Sequence, residues 1–259
     1  MSDYEQDPLR APHHSSGSWV LGDLRLGRFT TTPTFLLAKR ETPIVAGYCI
    51  YNDAEYLRSS LDSVCEYVDA VCILEGRFLD FKELPDDGTD RIISETASRF
   101  DPRFYLTGGN PQKFALFKTE PVLEVEKRDL MFSIVKAGGY LLIIDGDEVA
   151  IGDVKAGLDY VRANDDKRIF WVYVEEEGNP GWKPRIIKVE EGLHYGKNHW
   201  TILDRNNEVL TDSVFKPSPE FAQIEHFKIY NMGYKRTGER QRERLAYKEI
   251  LHGKKWNER

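Results

Sequence analysis

The chain has 259 residues, of which 41% are apolar and 31% charged, enough to bury the core of one large domain or two small ones. Its net charge of −7 excludes a general nucleic-acid binder, and no stretch approaches the roughly 20 consecutive apolar residues of a membrane span. The acidic, polar opening "MSDYEQDPLR" has neither the basic start nor the apolar run of a signal peptide, and the three cysteines (Cys49, Cys65, Cys72) lack metal-type spacing, so reduced core thiols in a cytoplasmic protein are expected.

Residues 1–43 read as an N-terminal extension, polar and flexible to about residue 18, then weakly alternating in a pattern that suits a hairpin. From residue 44 strands and helices alternate. "PIVAGYCIYN" predicts a strand ending at Asn52–Asp53, either of which can cap the helix that follows, with Leu57, Leu61 and Val64 on one face. "DAVCIL" predicts a second buried strand ending at Glu75. "TDRIISETASRF" predicts a helix, "RFYLT" a third strand, residues 122–137 a helix stopped by Gly138–Gly139, and "YLLIID" a fourth strand. Beyond Asp165 the segments are strand-rich: "RIFWVYVEEE", "PRIIKVEEG", "NHWTILD" and "QIEHFKIY". A basic helix over 238–252 closes the chain. Continuous apolar strands between amphipathic helices predict an α/β fold with a mostly parallel sheet covered on both faces.

The fourth strand runs directly into Asp145, Gly146, Asp147 and Glu148, three carboxylates within four positions. Like charges so close call for a positive partner. Two carboxylates at i and i+2 across a glycine can face one hard cation, and magnesium or manganese is often held by one or two carboxylates plus ligand phosphates. A surface turn after a strand is the plain alternative. Lys127 and Arg128, on the preceding helix, supply positive charge, and a guanidinium fork suits a phosphate. Charge also segregates along the chain: Lys235–Arg259 carries nine Lys/Arg against four Asp/Glu, or +5, leaving −12 for the remainder. That end suits a phosphate-bearing ligand, or a loose electrostatic contact with a membrane surface.

The order of these segments resembles the family-2 glycosyltransferases of the GT-A fold. The resemblance rests on "YNDAEYLRSSLDSV" (51–64), "AVCILEG" with "DDGTDRI", and "KRDLMFSIVKAGGYLLIIDGDE", and covers about residues 44–150. It implies a GT-A domain over 44–259, with a nucleotide-sugar half (44–150) and an acceptor half (151–259). It implies that Tyr51 and Asn52 flank the nucleotide base, that Glu75 contacts it, and that Arg128 lies near the nucleotide. Asp145 would face the ribose or metal-bound water, and Asp147 would ligate a divalent cation bridging the diphosphate, with His226 as third metal ligand. Two departures stand out: Glu75 replaces the usual Asp, and about ten residues separate it from "DGT". In the second half the match is looser, and His199 falls near a histidine of the family pattern. A carboxylate base for the acceptor hydroxyl is expected beyond the Asp145–Asp147 strand; Glu177 is the choice among Glu175, Glu176 and Glu177, with alternation sending Glu175 and Glu177 to one face. Trp182, in a Gly/Pro-rich loop, is a candidate sugar platform, whereas Trp171 reads as core.

The expected function is therefore a metal-dependent, inverting transfer of a sugar from a nucleotide-diphosphate donor to a saccharide, lipid-linked or protein acceptor. A nucleotidyltransferase is the rival enzyme class, but it would open with a Gly-rich phosphate loop where this chain has "YNDAEY". A nucleotide- or sugar-binding protein without turnover is the rival from another class.

Overall fold

The computed structural model describes residues 23–24 (backbone only), 42–79, 83, 85–100, 114–119, 121, 123–135, 137–196, 201–211, 217–235 and 242. In chain order these form β1 (Asp23–Leu24), β2 (Ile44–Ile50), α1 (Ala54–Val64), β3 (Ala70–Glu75), α2 (Thr89–Phe100), β4 (Phe114–Thr119), α3 (Glu124–Ile134), β5 (Tyr140–Ile143), β6 (Glu148–Gly152), α4 (Val154–Ala163), β7 (Ile169–Glu175), β8 (Gly181–Lys188), β9 (His194–Tyr195), β10 (Ile202–Leu203), β11 (Val209–Thr211) and β12 (Phe221–Asn231). The strand expected at "RFYLT", the flexibility expected of residues 1–18 and, apart from residue 242, the basic helix expected over 238–252 lie outside the described residues. Of the hairpin expected over 19–43, only Asp23–Leu24 is described, and it pairs in parallel with the edge strand β4.

Nine strands form one sheet in the order β1-β4-β3-β2-β5-β8-β7-β12-β6, continuous across residue 150. The first five are mutually parallel, β8 runs antiparallel to both its neighbours, and β7 and β12 return to the original direction. Every residue of β2 and β3 is buried, because helices cover both faces. Leu57, Leu61 and Val64 of α1, Ile92, Ile93 and Ala97 of α2, and Leu158 and Val161 of α4 pack on one face. Met131, Phe132 and Ile134 of α3, with Tyr195 and Ile202 of the separate β9–β10–β11 sheet, pack on the other. This mostly parallel sheet between helices is the arrangement that the GT-A resemblance implies.

One connection fixes the shape of the sheet. Only Ile144–Asp147 joins β5 to β6, yet β8, β7 and β12 lie between them in the strand order. In a flat sheet those strands would be roughly 19 Å apart, while five extended residue steps reach roughly 17 Å. The connection is moreover a turn, closed by the Glu148 N–H donating to the Asp145 carbonyl at 3.0 Å. The sheet must therefore curl, bringing β6 back over α1, where the Ala150 N–H donates to Ser63 Oγ at 3.0 Å. The short acidic turn closes this curl.

Candidate active site

The chain leaves β2 toward β3 and β4 on one side, then returns to place β5 on the other. The strand order thus reverses between β2 and β5, and in open α/β sheets the ligand crevice lies at the carboxyl ends of strands at such a reversal. Here those ends are Tyr51–Asn52–Asp53 and Asp145–Gly146–Asp147. β7 and β12 point the same way, and pairing of Asn231 with Glu148 brings the end of β12 to the same edge.

The first rim is built from two segments far apart in sequence. Asn52 adopts a left-handed backbone (φ 49), which an asparagine tolerates, and its amide donates to the Pro85 carbonyl at 2.9 Å. Asp53 stands at the N-cap of α1, but its carboxylate accepts from the Tyr51 N–H (3.3 Å) instead of capping the helix. The cap comes from the loop before α2, where Asp87 accepts from the Ala54 N–H at 3.0 Å and from the Thr89 N–H and hydroxyl at 2.9 and 2.6 Å. Thr89 Oγ1 in turn accepts from the Asp53 N–H at 2.8 Å. "YND" and "DDGT" are thereby stitched into one wall.

The second rim is the acidic turn. Asp145 and Glu148 bond reciprocally, the Asp145 N–H donating to Glu148 Oε2 at 3.0 Å. Gly146 lies close against Asp53: a Cβ there would stand 3.0 Å from Asp53 Cβ and 3.2 Å from its Oδ2. Among the described residues, two arginines supply positive partners to the crowded carboxylates. Arg128 Nη2 donates to Asp145 Oδ1 at 2.7 Å and Nε to Glu124 at 3.0 Å. Burial opposes the charge on Arg128, but Asp145 and Glu124 outweigh it and hold the guanidinium protonated. Arg185, from β8, donates to the fully buried Glu148 at 2.5 Å. Burial raises the Glu148 carboxyl above its usual range, with Arg185 pulling the other way. Asp147 is only 1% exposed, and its carbonyl accepts from the Met232 N–H at 2.7 Å, tying the turn to the end of β12.

The candidate residues from the sequence divide accordingly. Tyr51, Asn52, Arg128, Asp145 and Asp147 come together at the reversal point. Glu75 ends β3 at the same edge, with its carboxylate bonded by Lys118 of β4 at 2.6 Å; Lys118 also binds Asp90. Glu177 is exposed in the turn beyond β7, again at this edge. The strand ends at Glu175, so the alternation expected through Glu177 stops short of it; Glu175 pairs with Lys228, and Glu176 with Lys183 at 3.4 Å. His226 is not brought to the turn. It lies exposed on β12, its ring 5.6 Å from that of Tyr160 in α4, five residues before Asn231 and so roughly 16 Å along the strand from the acidic turn. His199 is outside the described residues. Trp171 is core, and Trp182 is half-buried edge-on against Tyr173 at 5.8 Å. Among the described residues no group of three or more His, Cys, Asp or Glu is arranged to hold a metal ion, and no helix is long and apolar enough to cross a membrane.

Sequence reasoning missed Arg185 as part of this edge, and the capping role of Asp87 within "DDGTDRI". Arg185 sits in an ordinary strand pattern, and the antiparallel pairing of β8 with β5, Ile186 opposite Leu142, carries it to the acidic turn. Asp87 had a local signal, an acidic residue two before Thr89 at a helix start.

No family model matches the chain, and no curated protein matches it. Among solved structures, a crystal structure of S. aureus TarS residues 1–349 is similar to it at 13% identity and a TM-score of 0.38, over 54% of this chain and 38% of that one. A second S. aureus TarS structure is similar at 12% identity and a TM-score of 0.35, over 61% of this chain and 24% of that one. The chain thus spans well under half the length of either neighbour, and likeness at this level carries no inference about chemistry.

Proposed function

We propose that the crevice between the ends of β2 and β5 binds a nucleotide-diphosphate sugar and that the protein transfers the sugar to an acceptor hydroxyl by an inverting, metal-dependent reaction. The observation that carries this reading is the approach of Asp53 to Gly146 at the strand-order reversal, which fences one crevice with the two acidic strand ends.

The chemistry follows from the residues. Tyr51 and Asn52 form the wall for the base, and Arg128 lies beside Asp145, near the ribose or phosphates. Asp145 and Asp147 are an oxygen-only donor pair, which fits magnesium or manganese; the diphosphate and water would complete the shell. Such an ion, when bound, neutralises charge developing on the leaving diphosphate as a Lewis acid. The acceptor hydroxyl must lose its proton as it attacks, and Glu177, exposed at the same edge, is the carboxylate assigned that step. A saccharide, a lipid-linked sugar or a protein hydroxyl satisfies this requirement equally.

The test is a thermal-shift panel of nucleoside diphosphates and their sugars, with and without manganese, on wild type and Asp147→Ala. A ligand at 100 times its dissociation constant stabilises the native state by about 2.7 kcal/mol. The expected result is a manganese-dependent shift with one base, absent from the variant. Folded wild type that shifts with no nucleotide would return the acidic turn to a structural role.

A further inference from the structure

Lys127 is fully buried in α3, an environment where an ammonium ordinarily does not survive without a carboxylate in contact. Its Nζ instead donates to two backbone carbonyls, Ile50 and Gly76, at 2.7 Å each. The ammonium also lies 4.5 Å from the centroid of the Phe78 ring. Ile50 is the last residue of β2, immediately before Tyr51–Asn52–Asp53, and Gly76 follows the last residue of β3. The Gly76 N–H donates to the Ile50 carbonyl at 3.2 Å, the final rung between the two strands. Lys127 thus bridges the last carbonyl of β2 and the first carbonyl beyond β3.

We propose that Lys127 is a positioning residue that clamps the carboxyl ends of β2 and β3 and so sets the floor of the crevice beneath the donor nucleotide. The donor part rests on the glycosyl-transfer reading above; the clamp itself does not. A methionine would fill the same volume without the desolvation cost, so retaining a lysine is explained by the bonds only it makes. The junction is also too tight to rearrange freely, since a Cβ on Gly76 would overlap the hydroxyl and carbonyl oxygens of Thr119.

The titratable groups facing the ammonium are the Cys49 thiol, which burial keeps neutral, and Asp53 from the β2 side, Glu75 from β3 and Glu124 from its own helix. Glu75 is engaged by Lys118 and Glu124 by Arg128. Burial dominates these attractions and lowers the Lys127 ammonium to about 8.

Hydrogen exchange in the ligand-free protein tests the clamp. In Lys127→Met, amides of 51–53 and 76–78 should exchange at least tenfold faster while those of β5 and β7 stay unchanged; Lys127→Arg should restore much of the protection. Unchanged exchange at 51–53 and 76–78 would overturn the proposal. Should Lys127→Met fail to fold, wild type suffices: with ¹³C-labelled lysine, the Lys127 titration near pH 8 should be mirrored by the amide shifts of Asn52 and Gly76, and amides indifferent to that titration would overturn it. A panel of nucleoside diphosphates with manganese then tests the donor part, with at least tenfold weaker binding expected in the methionine variant. Wild type that binds none of them refutes the donor reading and leaves the exchange result to decide the clamp.

Discussion

Arg128 and Asp145 form a direct ion pair at 2.7 Å, joining α3 to the first carboxylate of the acidic turn, with the arginine side chain 6% exposed and the aspartate 25%. The same guanidinium holds Glu124, so one cation serves two carboxylates. Removing one partner of a buried pair strands the other, which costs about 3 kcal/mol or more. Arg128→Ala should therefore lower unfolding stability by about 3 kcal/mol, read in urea denaturation, and Asp145→Asn by less because the amide still accepts a hydrogen bond. In the Arg128→Ala, Asp145→Asn double variant the losses should be less than additive. Additive losses would mean that the pair is not formed in solution.

Gly157 in α4 offers a case where two magnitudes decide a sign. Replacing a mid-helix glycine by alanine gains about 1 kcal/mol of helix propensity. Here, however, the new Cβ would stand 2.6 Å from Phe227 Cε1 and overlap its Cδ1, and Phe227 is buried on β12 with nowhere to swing. Overpacking costs about 1–3 kcal/mol, so Gly157→Ala should destabilise, despite the better helix former, in a thermal melt. A stabilised variant would show that α4 can lift off the sheet.

What the sequence exposed were features with a local period. The buried strands β2, β3 and β5 are continuous apolar runs, and α1 and α2 repeat their apolar residues at helical spacing, so each was expected in nearly its observed place. The helix α4 went unread although Val154, Leu158 and Val161 lie on one face and Asp153 caps it; Gly157 within and Gly152 before it weakened the pattern. β6 is five residues that begin with a charge, and β4, "FALFKT", adjoins a segment without alternation. The acidic turn was legible as a strand end, but its partners were not. Arg185 reaches Glu148 through the long-range pairing of β8 with β5, and the burial of Lys127 is a property of three elements packed together.

The metal role expected of His226 shows the same limit, since strand register and not motif order decides where a side chain lies. With the histidine against Tyr160 and far from Asp147, His226→Ala should leave manganese-dependent nucleotide binding within twofold of wild type. Its effect on stability should be under about 1 kcal/mol, the scale of one exposed ring contact. Calorimetric titration of a nucleoside diphosphate with manganese checks this, and a tenfold loss would return the histidine to the site.

Lys127 makes stability depend on pH with a definite sign. Its ordinary value is 10.5, and in the folded protein burial lowers it to about 8. Between those values the unfolded chain binds the proton more tightly than the native state, so stability rises with pH across that window. Below about 8 both states are protonated and this contribution is flat, with the charged side chain held at its full desolvation cost. The rise is bounded at about 3 kcal/mol by the size of the displacement. Lys118 lies outside this window, because Glu75 and Asp90 hold its proton more tightly than usual against the opposing effect of burial. The informative quantity is the difference between wild type and Lys127→Met in denaturation midpoint, measured from pH 7.5 to 10.5. Wild type should gain on the variant as pH rises. A constant difference would mean that the ammonium keeps an ordinary affinity for its proton, and so that water reaches it in the native state.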